Sequence, residues 1–431
     1  MTETALTPVV TAFLRTDGQV LLIRRSDSVG TYRGHWAGVS GYVETDDPLT
    51  DAHREIREET GIDPEETSLV RSGEPLAVSS DSTAEGGDGD RDGFRVHPFL
   101  FDTTTDEVTP NEEIAEFEWT TPTAIRDRTT VPRLWETYRA VAPTVETVAT
   151  DETHGSAYVS VRALEVLRDE AAVADDWASV ASVARDLRDA RPEMAAVSNR
   201  VNRVLAESEE SVAAVHDRAV RAVADAVRAD ERAAERSADL IDGPVLTLSR
   251  SGTVAATLAR TDEEIYVAES VPGGEGRAVA ARLAADHSVT LLPDAAVAAV
   301  LAERPISAVV VGADTVRADG SVRNKVGTRG AALAAADADV PVYVVTARDK
   351  ITAAESVERP SRASDGRSER AVSPDFEAPD GCERFAPLFD TTPAELVTVV
   401  TEDGELDTEA VAAVARDHAE LAAWNRDRGD E

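Results

Sequence analysis

The chain has 431 residues, of which 82 are acidic and 44 are basic, which gives a formal net charge of −38. Binding to nucleic acid requires a basic patch, and docking on an anionic membrane requires a cluster of cationic side chains. The composition therefore argues against direct nucleic-acid binding and against a membrane surface as a partner.

The charge also has an interpretation as an adaptation to solvent. Lys325 and Lys350 are the two lysines of the chain, and an acidic surface with so little lysine is typical of proteins from salt-accumulating halophiles. There the field is screened within ~3 Å at 1 M salt, so that net charge says little about partners. No run approaches the ~20 apolar residues of a membrane span, and "MTETALTPVV" has no signal-peptide pattern. The single cysteine, Cys382, excludes an internal disulfide. We expect a cytoplasmic protein of about three domains.

Residues 1–146 are predicted to form the first domain, which mixes strands with two helices. The runs "TPVVTAFLR" and "QVLLIRR" predict a hairpin that turns at "TDG". Asp47 as N-cap, Pro48 at the first helical position and Gly61 as the stop predict a helix over "DDPLTDAHREIREETG". After a polar loop at 79–93, "FRVHPFLFD" and "EIAEFEW" predict strands and "VPRLWETYRAVA" a closing helix.

Two further domains and a short tail are predicted to follow. Residues 151–240 carry apolar residues at helical spacing and almost no glycine, which predicts a helical bundle. Over residues 241–420, short apolar runs such as "AVVVGAD" and "VPVYVVT" alternate with alanine-rich helices. This alternation predicts a doubly wound, mostly parallel, Rossmann-like sheet. The polar insertion at 352–381 is predicted to be a loop, and residues 421–431 a tail.

Three carboxylates are predicted to share one face of the first helix. Glu55, Glu58 and Glu59 stand at i, i+3 and i+4, so that their like charges repel unless something neutralises them. A hard divalent cation such as Mg²⁺ would do so, because it binds carboxylate oxygens and shares phosphate oxygens with a substrate. The alternative, in a chain this acidic, is a solvated helix face without a metal.

The stretch "GYVETDDPLTDAHREIREETGI" resembles the Nudix box. "REIREETGI" matches the second half of that pattern at every position. Between Gly41 and Arg54 the chain is one residue shorter than the pattern, and Asp46 or Asp47 replaces its glutamate. The resemblance covers residues 8–142. It implies an α/β/α sandwich that hydrolyses a nucleoside diphosphate linked to another group, with Mg²⁺ or Mn²⁺ as cofactor.

The resemblance assigns roles to residues of this helix and of the loop before it. The residues concerned are Glu55, Glu58, Glu59, Arg54, Gly41 and Glu44. The three helix glutamates would bind the metal, the arginine would orient them, and the glycine and Glu44 would contact the diphosphate or the metal. Glu113 is a candidate general base. The neighbouring rings of His35, His53, Trp36 and Trp119 are expected to be structural rather than metal ligands or stacking platforms.

A second candidate site follows the strand "AVVVGAD". A ligand of a doubly wound sheet binds beyond the carboxyl ends of the strands, where Asp314 stands. Asn324, Lys325 and Thr328 lie just downstream and carry an amide, an ammonium and a hydroxyl that suit a phosphate. Two structural alternatives remain open. One is that Lys325 and Asp314 form an ion pair at a strand end. The other is that the turn "RSG" only caps the helix that follows it.

The order of several motifs resembles a family that contains the regulatory subunits of translation initiation factor 2B and two sugar-phosphate isomerases. The motifs are "ARPEMAAV", "LTLSRSGTV", "GAD", "NKVGT" and "PLFDTTPAELVTVVTEDG", and the resemblance covers about residues 151–420. The isomerases act on methylthioribose 1-phosphate and ribose 1,5-bisphosphate. The resemblance implies a homodimer through the C-terminal domain and a ligand site. Its expected contacts are Ser249, Arg250, Ser251, Gly252, Asp314, Asn324 and Lys325.

The chain departs from the isomerase pattern at two positions. Ser249 stands where the isomerases have a catalytic cysteine, and Val271 where they have an arginine. A serine is a much weaker acid and nucleophile than a cysteine at neutral pH. We therefore expect this domain to bind a sugar phosphate or a nucleotide without isomerase chemistry.

Three functions remain open at this point. The favoured one is a metal-dependent Nudix hydrolase of a nucleotide or nucleotide sugar, with a second domain that binds a ligand. The second is an initiation-factor-like binding protein whose Nudix domain senses a nucleotide. The third is a bifunctional hydrolase and isomerase. A role in translation rests on analogy alone.

Overall fold

The computed structural model describes residues 6–79, 93–353, 379, 381–383 and 385–425. The chain forms two compact units, Met1–Thr144 and Val145–Glu431. Most of the two predicted loops, 79–93 and 352–381, lies outside the described residues. Among the described residues, no helix has both the length and the apolar character that crossing a membrane requires.

The first unit is an eight-stranded sheet with a helix on each face. Its elements are β1 Thr7–Thr16, β2 Gln19–Arg25, β3 Trp36–Ala37, β4 Val39–Tyr42, α1 Pro48–Thr60, β5 Thr67–Ser72, β6 Leu76–Val78, β7 Phe94–Thr103, β8 Ile114–Thr120 and α2 Leu134–Arg139. Strands β1 and β7 pair in parallel at the centre of the sheet, and the other pairs are antiparallel. Leu14 of β1 packs with Ile56 of α1, whereas the adjacent Phe13 packs with Leu134 of α2. This alternation follows from the two-residue period of a strand.

The predicted hairpin and the predicted first helix are confirmed. Asp17 and Gly18 both have positive φ, 49° and 76°, as a tight two-residue turn requires. Helix α1 begins at Pro48 after Asp47, whose side chain accepts a hydrogen bond from the Leu49 amide. It ends at Gly61, which adopts the left-handed conformation with φ 74°.

The second unit begins with a group of helices. They are α3 Val145–Thr150, α4 Ser156–Ala171, α5 Trp177–Ala190, α6 Ala195–Ala206 and α7 Val212–Ala238. Buried apolar residues such as Leu164, Leu187, Val201 and Val215 bring α4, α5, α6 and α7 together around one core. These helices begin at side-chain caps where the sequence offers them, as at Asp176 and Ser211.

The rest of the second unit is built on a seven-stranded sheet. Its strands and helices are β9 Val245–Thr247, α8 Gly252–Leu258, β10 Ile265–Ala268, α9 Glu275–Leu283, β11 Val289–Leu292, α10 Val297–Glu303, β12 Ala308–Val311, α11 Thr328–Asp337, β15 Val342–Val345, β18 Thr398–Thr401, β19 Gly404–Leu406 and α12 Thr408–Leu421. The strand order is β11-β10-β9-β12-β15-β18-β19, and each pair is parallel except β18 with β19. The order reverses between β9 and β12, which makes their carboxyl ends the switch point of the sheet.

A small second sheet carries part of the candidate site. It consists of β13 Thr315–Arg317, β14 Val322–Lys325, β16 Ile351–Thr352 and β17 Phe389–Thr392, in the order β16-β13-β14-β17. Asn324 and Lys325 form the end of β14 and pair with Asp390 and Phe389 of β17. The sequence analysis did not predict this sheet.

Candidate functional site

Helix α1 buries two of its three candidate glutamates. Glu55 and Glu59 are 8% and 2% exposed, whereas the Glu58 side chain is 57% exposed. The helix presents Glu55 and Glu59 one turn apart on the face that packs against the sheet, because Ile56 between them is fully buried. Two buried carboxylates so close together require partners, since burial of an unpaired charge is costly.

One carboxylate oxygen of Glu59 lacks such a partner. Its Oε2 is buried and has no hydrogen bond to any described residue. The pKa of Glu59 is raised to about 8, mainly by burial and also by the charges of Glu55 and Glu113, while Arg25 and a hydrogen bond from the Ser40 amide oppose the shift. The combination indicates a carboxyl group that a cation from outside the chain would stabilise in its charged form.

Arg54 contacts the other two glutamates. Its Nη2 lies 2.9 Å from Glu55 Oε1, and its Nη1 donates to Glu58 Oε2 at 3.2 Å. Nη2 also donates to the Tyr42 carbonyl at 3.2 Å and lies 4.0 Å from Glu44. Burial raises the pKa of Glu55, and Arg54 opposes that shift. Of the three glutamates that Arg54 was expected to orient, it therefore contacts Glu55 and Glu58 but not Glu59.

Because residue 41 is a glycine without a side chain, the Glu55 carboxylate can lie directly against it. A Cβ on residue 41 would lie 1.9 Å from Glu55 Oε1, so any side chain there would displace the carboxylate. Gly41 pairs with Val10 across β4 and β1, which fixes its position relative to the sheet. The glycine of the predicted motif is thus explained by close approach to a glutamate.

Asp51 is a residue of this site that the sequence analysis did not single out. It is fully buried and accepts hydrogen bonds from the Glu44 amide at 3.2 Å, the Thr45 amide at 3.1 Å and Thr45 Oγ1 at 2.9 Å. Arg54 Nη2 lies 3.4 Å from its other oxygen. Burial alone would raise the pKa of Asp51, but the hydrogen bonds from Thr45 and Glu44 hold it below its usual value. Asp51 ties the shortened loop to the helix.

The metal ligands are not preassembled. Among the described residues, no three His, Cys, Asp or Glu side chains converge as a ready metal site. Arg54 separates Glu58 from Glu55, and both form ion pairs with it. The unpartnered Oε2 of Glu59 nevertheless fits a hard cation, because no donor competes for it among the described residues.

Three of the four rings near the box have structural contacts. His35 Nδ1 hydrogen bonds to the Arg33 carbonyl, and His53 packs against Phe101 with ring centroids 5.1 Å apart. The Trp119 indole donates to the Asp106 carbonyl at 2.9 Å. These contacts favour the structural interpretation of the rings over a role as ligands.

The loops at the switch point bring "SRSG" and "GAD" together. A Cβ on Gly312 would lie 2.7 Å from Ser251 Oγ, so the glycine permits close approach of the two loops. Ser251 caps α8, since its side chain accepts from the Val254 amide at 3.3 Å. Gly252 is the first residue of α8, and Arg250 donates to the Thr153 carbonyl.

Ser249 has a strained backbone and a tethered amide. Its φ is 67°, which is uncommon outside glycine, and its N–H donates to Ser270 Oγ at 2.6 Å. The Ser249 hydroxyl forms no hydrogen bond with an acid or a base among the described residues. The part of the chain that the structure describes therefore offers this hydroxyl no activating group.

Asp314 lies near Lys350, not Lys325. Burial raises the pKa of Asp314, and the charges of Lys350 and Arg323 oppose that shift. Lys350 Nζ donates to the Ala313 carbonyl at 2.8 Å, and burial lowers its pKa. The expected alternative of an ion pair between Lys325 and Asp314 is therefore wrong.

Lys325 has a different partner. Its Nζ lies 2.8 Å from Glu275 Oε1 at the start of α9 and also donates to the Pro272 carbonyl. Glu275 Oε2 is buried and has no hydrogen-bond partner among the described residues. Asn324 is turned into the fold, where its Nδ2 donates to Thr328 Oγ1 at 3.0 Å. In this arrangement a carboxylate occupies the position that a phosphate on Lys325 would take.

The chain combines two units. One carries a helix with three glutamates, and the other contains a doubly wound sheet whose loops converge at its switch point. A family model described as the NUDIX domain matches residues 5–145, and one described as the Initiation factor 2 subunit family matches residues 152–408. The first segment is a NUDIX domain. Because the second match covers more than half of the residues, the chain belongs to the initiation factor 2 subunit family.

The relatives agree with this assignment. A methylthioribose-1-phosphate isomerase of Heliobacterium modesticaldum is 38% identical over 117 residues, which cover 27% of this chain and 34% of the relative. A ribose 1,5-bisphosphate isomerase of Archaeoglobus fulgidus is 29% identical over 285 residues, which cover 62% of this chain and 90% of the relative. The chain spans between 34% and 52% of the methylthioribose-1-phosphate isomerases that it matches.

A solved structure shares the fold of the second segment. The translation initiation factor eIF-2B of Pyrococcus horikoshii aligns with a TM-score of 0.51 at 22% identity, over 61% of this chain and 94% of that one. At this level of identity the similarity concerns the fold alone. Together, the mixed sheets and this neighbour establish an α/β multidomain protein.

Proposed function

We propose that the NUDIX domain is a divalent-metal-dependent hydrolase of a nucleoside diphosphate derivative. The observation that carries this proposal is the buried Glu59 Oε2 without a partner, beside Glu55 and near Glu113. A buried carboxylate oxygen without a donor, close enough to two other glutamates to feel their charge, favours a bound cation over a solvated helix face. Because the Glu58 side chain is largely exposed, it is free to turn toward such an ion.

Each residue of the candidate site has its own role in this proposal. Glu55, Glu58 and Glu59 hold the ion, and Arg54 orients the first two. Gly41 keeps space for the Glu55 carboxylate, and Glu44 lies at the rim of the site as a contact for the diphosphate. A bound Mg²⁺ or Mn²⁺ would supply charge neutralisation and an oriented water. Glu113 is the candidate general base, since its charge acts on both buried glutamates.

A substrate panel tests this proposal. ADP-ribose, NADH, dinucleoside polyphosphates and nucleoside triphosphates are incubated with the full chain in high salt with Mg²⁺ or Mn²⁺, and phosphorus NMR follows the products. We expect cleavage of a diphosphate bond in one class of compound, abolished by chelation of the metal. Absence of cleavage of any compound by folded protein would favour the binding protein that senses a nucleotide.

We infer that the C-terminal region, over residues 241–420, binds a sugar phosphate or a nucleotide at the switch point of its sheet. The proposed contacts are Ser249, Arg250, Ser251, Gly252, Asp314, Asn324 and Lys325. The convergence of two loops at the carboxyl ends of β9 and β12 supports this proposal. Binding requires Lys325 to exchange Glu275 for the phosphate, and Asn324 to turn away from Thr328.

A second candidate function, isomerisation of a sugar phosphate, is favoured by the names of the relatives. Against it stand the serine at position 249, which lacks a base, and Val271 in place of an arginine. Incubation with ribose 1,5-bisphosphate or methylthioribose 1-phosphate, followed by carbon NMR, separates the two. We expect no ketose; a ketose that disappears in Ser249→Ala would establish the bifunctional enzyme.

The organisation of the chain is part of the proposal. We propose a NUDIX hydrolase domain over residues 1–146, a helical subdomain over 151–240 and the Rossmann-like domain up to 420, followed by a tail at 421–431. We also propose a homodimer through the C-terminal domain, a cytoplasmic location and no contact with nucleic acid or membrane. Light scattering coupled to gel filtration in high salt checks the dimer, for which we expect twice the chain mass.

A further inference from the structure

A cavity lined by arginines lies in the second unit, apart from the switch point. Its volume is about 250 Å³, and it opens between α4, α6, α7 and the segments that follow β15 and β18. Its charged lining consists of Arg200, Arg203, Arg218, Arg228, Arg232, Asp225, Asp349 and Glu402. The site is notable because five guanidinium groups meet three carboxylates in a chain whose formal charge is −38.

The floor of the cavity is a buried network of ion pairs. Arg200 is 3% exposed, and its Nε lies 3.0 Å from Asp349 Oδ2 while its Nη1 donates to Ser160 Oγ at 2.8 Å. Arg203 Nη2 lies 2.7 Å from the other oxygen of Asp349. One buried carboxylate is thus shared by two guanidinium groups, with Asp230 at 3.4 Å from Arg200 as a further acceptor. Arg200 is thus engaged through Nε, Nη1 and Nη2, so it contributes positive charge to the cavity rather than free donors.

At the mouth of the cavity, the positive charge of the arginines is less well neutralised than at the floor. Arg218 and Arg228 share Asp225, at 3.4 Å and 2.6 Å, and Arg218 also contacts Glu207 at 2.7 Å. The side chain of Arg232, one turn beyond Arg228 on α7, forms no hydrogen bond or ion pair with any other described residue. Arg228 and Arg232 are exposed, so their guanidinium groups are accessible to a ligand from solvent.

We propose that this cavity binds a small phosphorylated molecule, whose phosphate group lies between Arg228 and Arg232 above the pair of arginines at Asp349. Guanidinium groups match the geometry of phosphate oxygens and form charge-assisted hydrogen bonds with them. The volume lies just below the ~300–1,000 Å³ that is usual for drug-sized ligands, which fits a small metabolite. Burial also raises the pKa of Glu402 to about 7, which weakens the negative charge on the opposite wall.

Calorimetric titration of the full chain with inorganic phosphate, at one fixed concentration of KCl, tests this site. We expect Arg228→Glu/Arg232→Glu to weaken phosphate binding at least tenfold. Arg282→Glu on α9 is the matched control, because it changes an exposed helical arginine that does not line the cavity. Both substituted positions are exposed, and thermal unfolding verifies that each variant is folded. Unchanged phosphate affinity in the double variant, or an equal loss in the control, overturns the proposal.

A second measurement locates the anion. Crystals of the full chain soaked in selenate, an analogue of phosphate with an anomalous signal, should show a peak between Arg228 and Arg232. No peak in the cavity, or a peak confined to the loops around Ser251 and Lys325, contradicts the assignment. The position of the selenate peak therefore distinguishes this cavity from the proposed ligand site at the switch point.

Discussion

Glu59 and Asp349 are nearly equally buried, at 2% and 3% exposure, yet their acidities shift in opposite directions. Burial raises the pKa of Glu59 to about 8, whereas Asp349 has a pKa of about 2 because Arg200 and Arg203 outweigh the effect of burial. The difference lies in the partners that the chain supplies. The network of the second unit provides its own cations, and the NUDIX unit leaves a carboxylate oxygen for a cation from solution.

The strongest test of this comparison is removal of the Asp349 carboxylate, which forms ion pairs with Arg200 and Arg203. Asp349→Asn leaves the buried Arg200 and the half-buried Arg203 without their common counter-charge, which should cost about 3–5 kcal/mol of the free energy of unfolding. Urea denaturation in high salt measures it, with Asp337→Asn at the exposed end of α11 as the control. A loss below about 1 kcal/mol would show that the network contributes little to stability.

Replacement of the Glu59 carboxylate by an amide should reduce hydrolysis but should not reduce stability. Glu59→Gln keeps the shape of the side chain but removes a metal ligand, so metal-dependent hydrolysis should fall at least ~100-fold. Stability without metal should not decrease, because no internal ion pair is broken. The panel assay and denaturation in EDTA measure the two effects, with the exposed Glu107→Gln as control. Undiminished hydrolysis in Glu59→Gln would remove this helix from the active site.

Glu402 provides a pH-dependent test within the second unit. Its pKa is raised to about 7, mainly by burial and also by Asp349 and Asp403, although it accepts a hydrogen bond from the Arg348 amide. A carboxyl group with a raised pKa contributes stability below pH ~4.5 that is lost as the pH rises through about 7. Glu402→Gln should therefore equal the wild type near pH 4.5 and exceed it by ~1–2 kcal/mol at pH 8, after a discount for partial exposure.

Denaturation at several pH values in constant salt measures this difference. Glu405→Gln on the adjacent β19 is the control, since its carboxylate is exposed. A constant difference between Glu402→Gln and the wild type across the pH range would contradict the raised pKa.

The smallest expected effect concerns Lys325. Glu275→Gln removes the charge that competes with a phosphate for the ammonium group, so ribose 5-phosphate should bind several-fold more tightly, equivalent to roughly 1 kcal/mol. Calorimetry measures the affinity, with Glu303→Gln as the exposed control. Equal affinities in the two variants would indicate that the pair of Lys325 and Glu275 is structural.

Local chemistry explains what the sequence predicted well. The bounds of α1 follow from Asp47, Pro48 and Gly61, and the turn at Asp17 and Gly18 follows from their tolerance of positive φ. These signals act within a few residues, so they are visible without the fold. The apolar runs that became β9, β10, β12 and β15 were visible for a similar reason, because buried parallel strands are continuously apolar.

Long-range pairing explains what the sequence could not predict. Strands β13, β14, β16 and β17 have two to four residues each, and β14 finds its partner at Phe389–Thr392, more than sixty residues away. Such short segments carry too little periodicity to predict. The partner of Lys325 was missed for the same reason, since Glu275 precedes it by fifty residues. Asp51 was missed because a buried carboxylate that binds loop amides has no spacing signature.

Direct binding of Mn²⁺, followed by electron paramagnetic resonance of the full chain in high salt, tests the central claim about Glu59. We predict a saturable site in the wild type that Glu59→Gln weakens at least tenfold and that Glu107→Gln leaves unchanged. Equal Mn²⁺ affinity in Glu59→Gln and the wild type would contradict the proposal that the unpartnered carboxylate is a metal ligand.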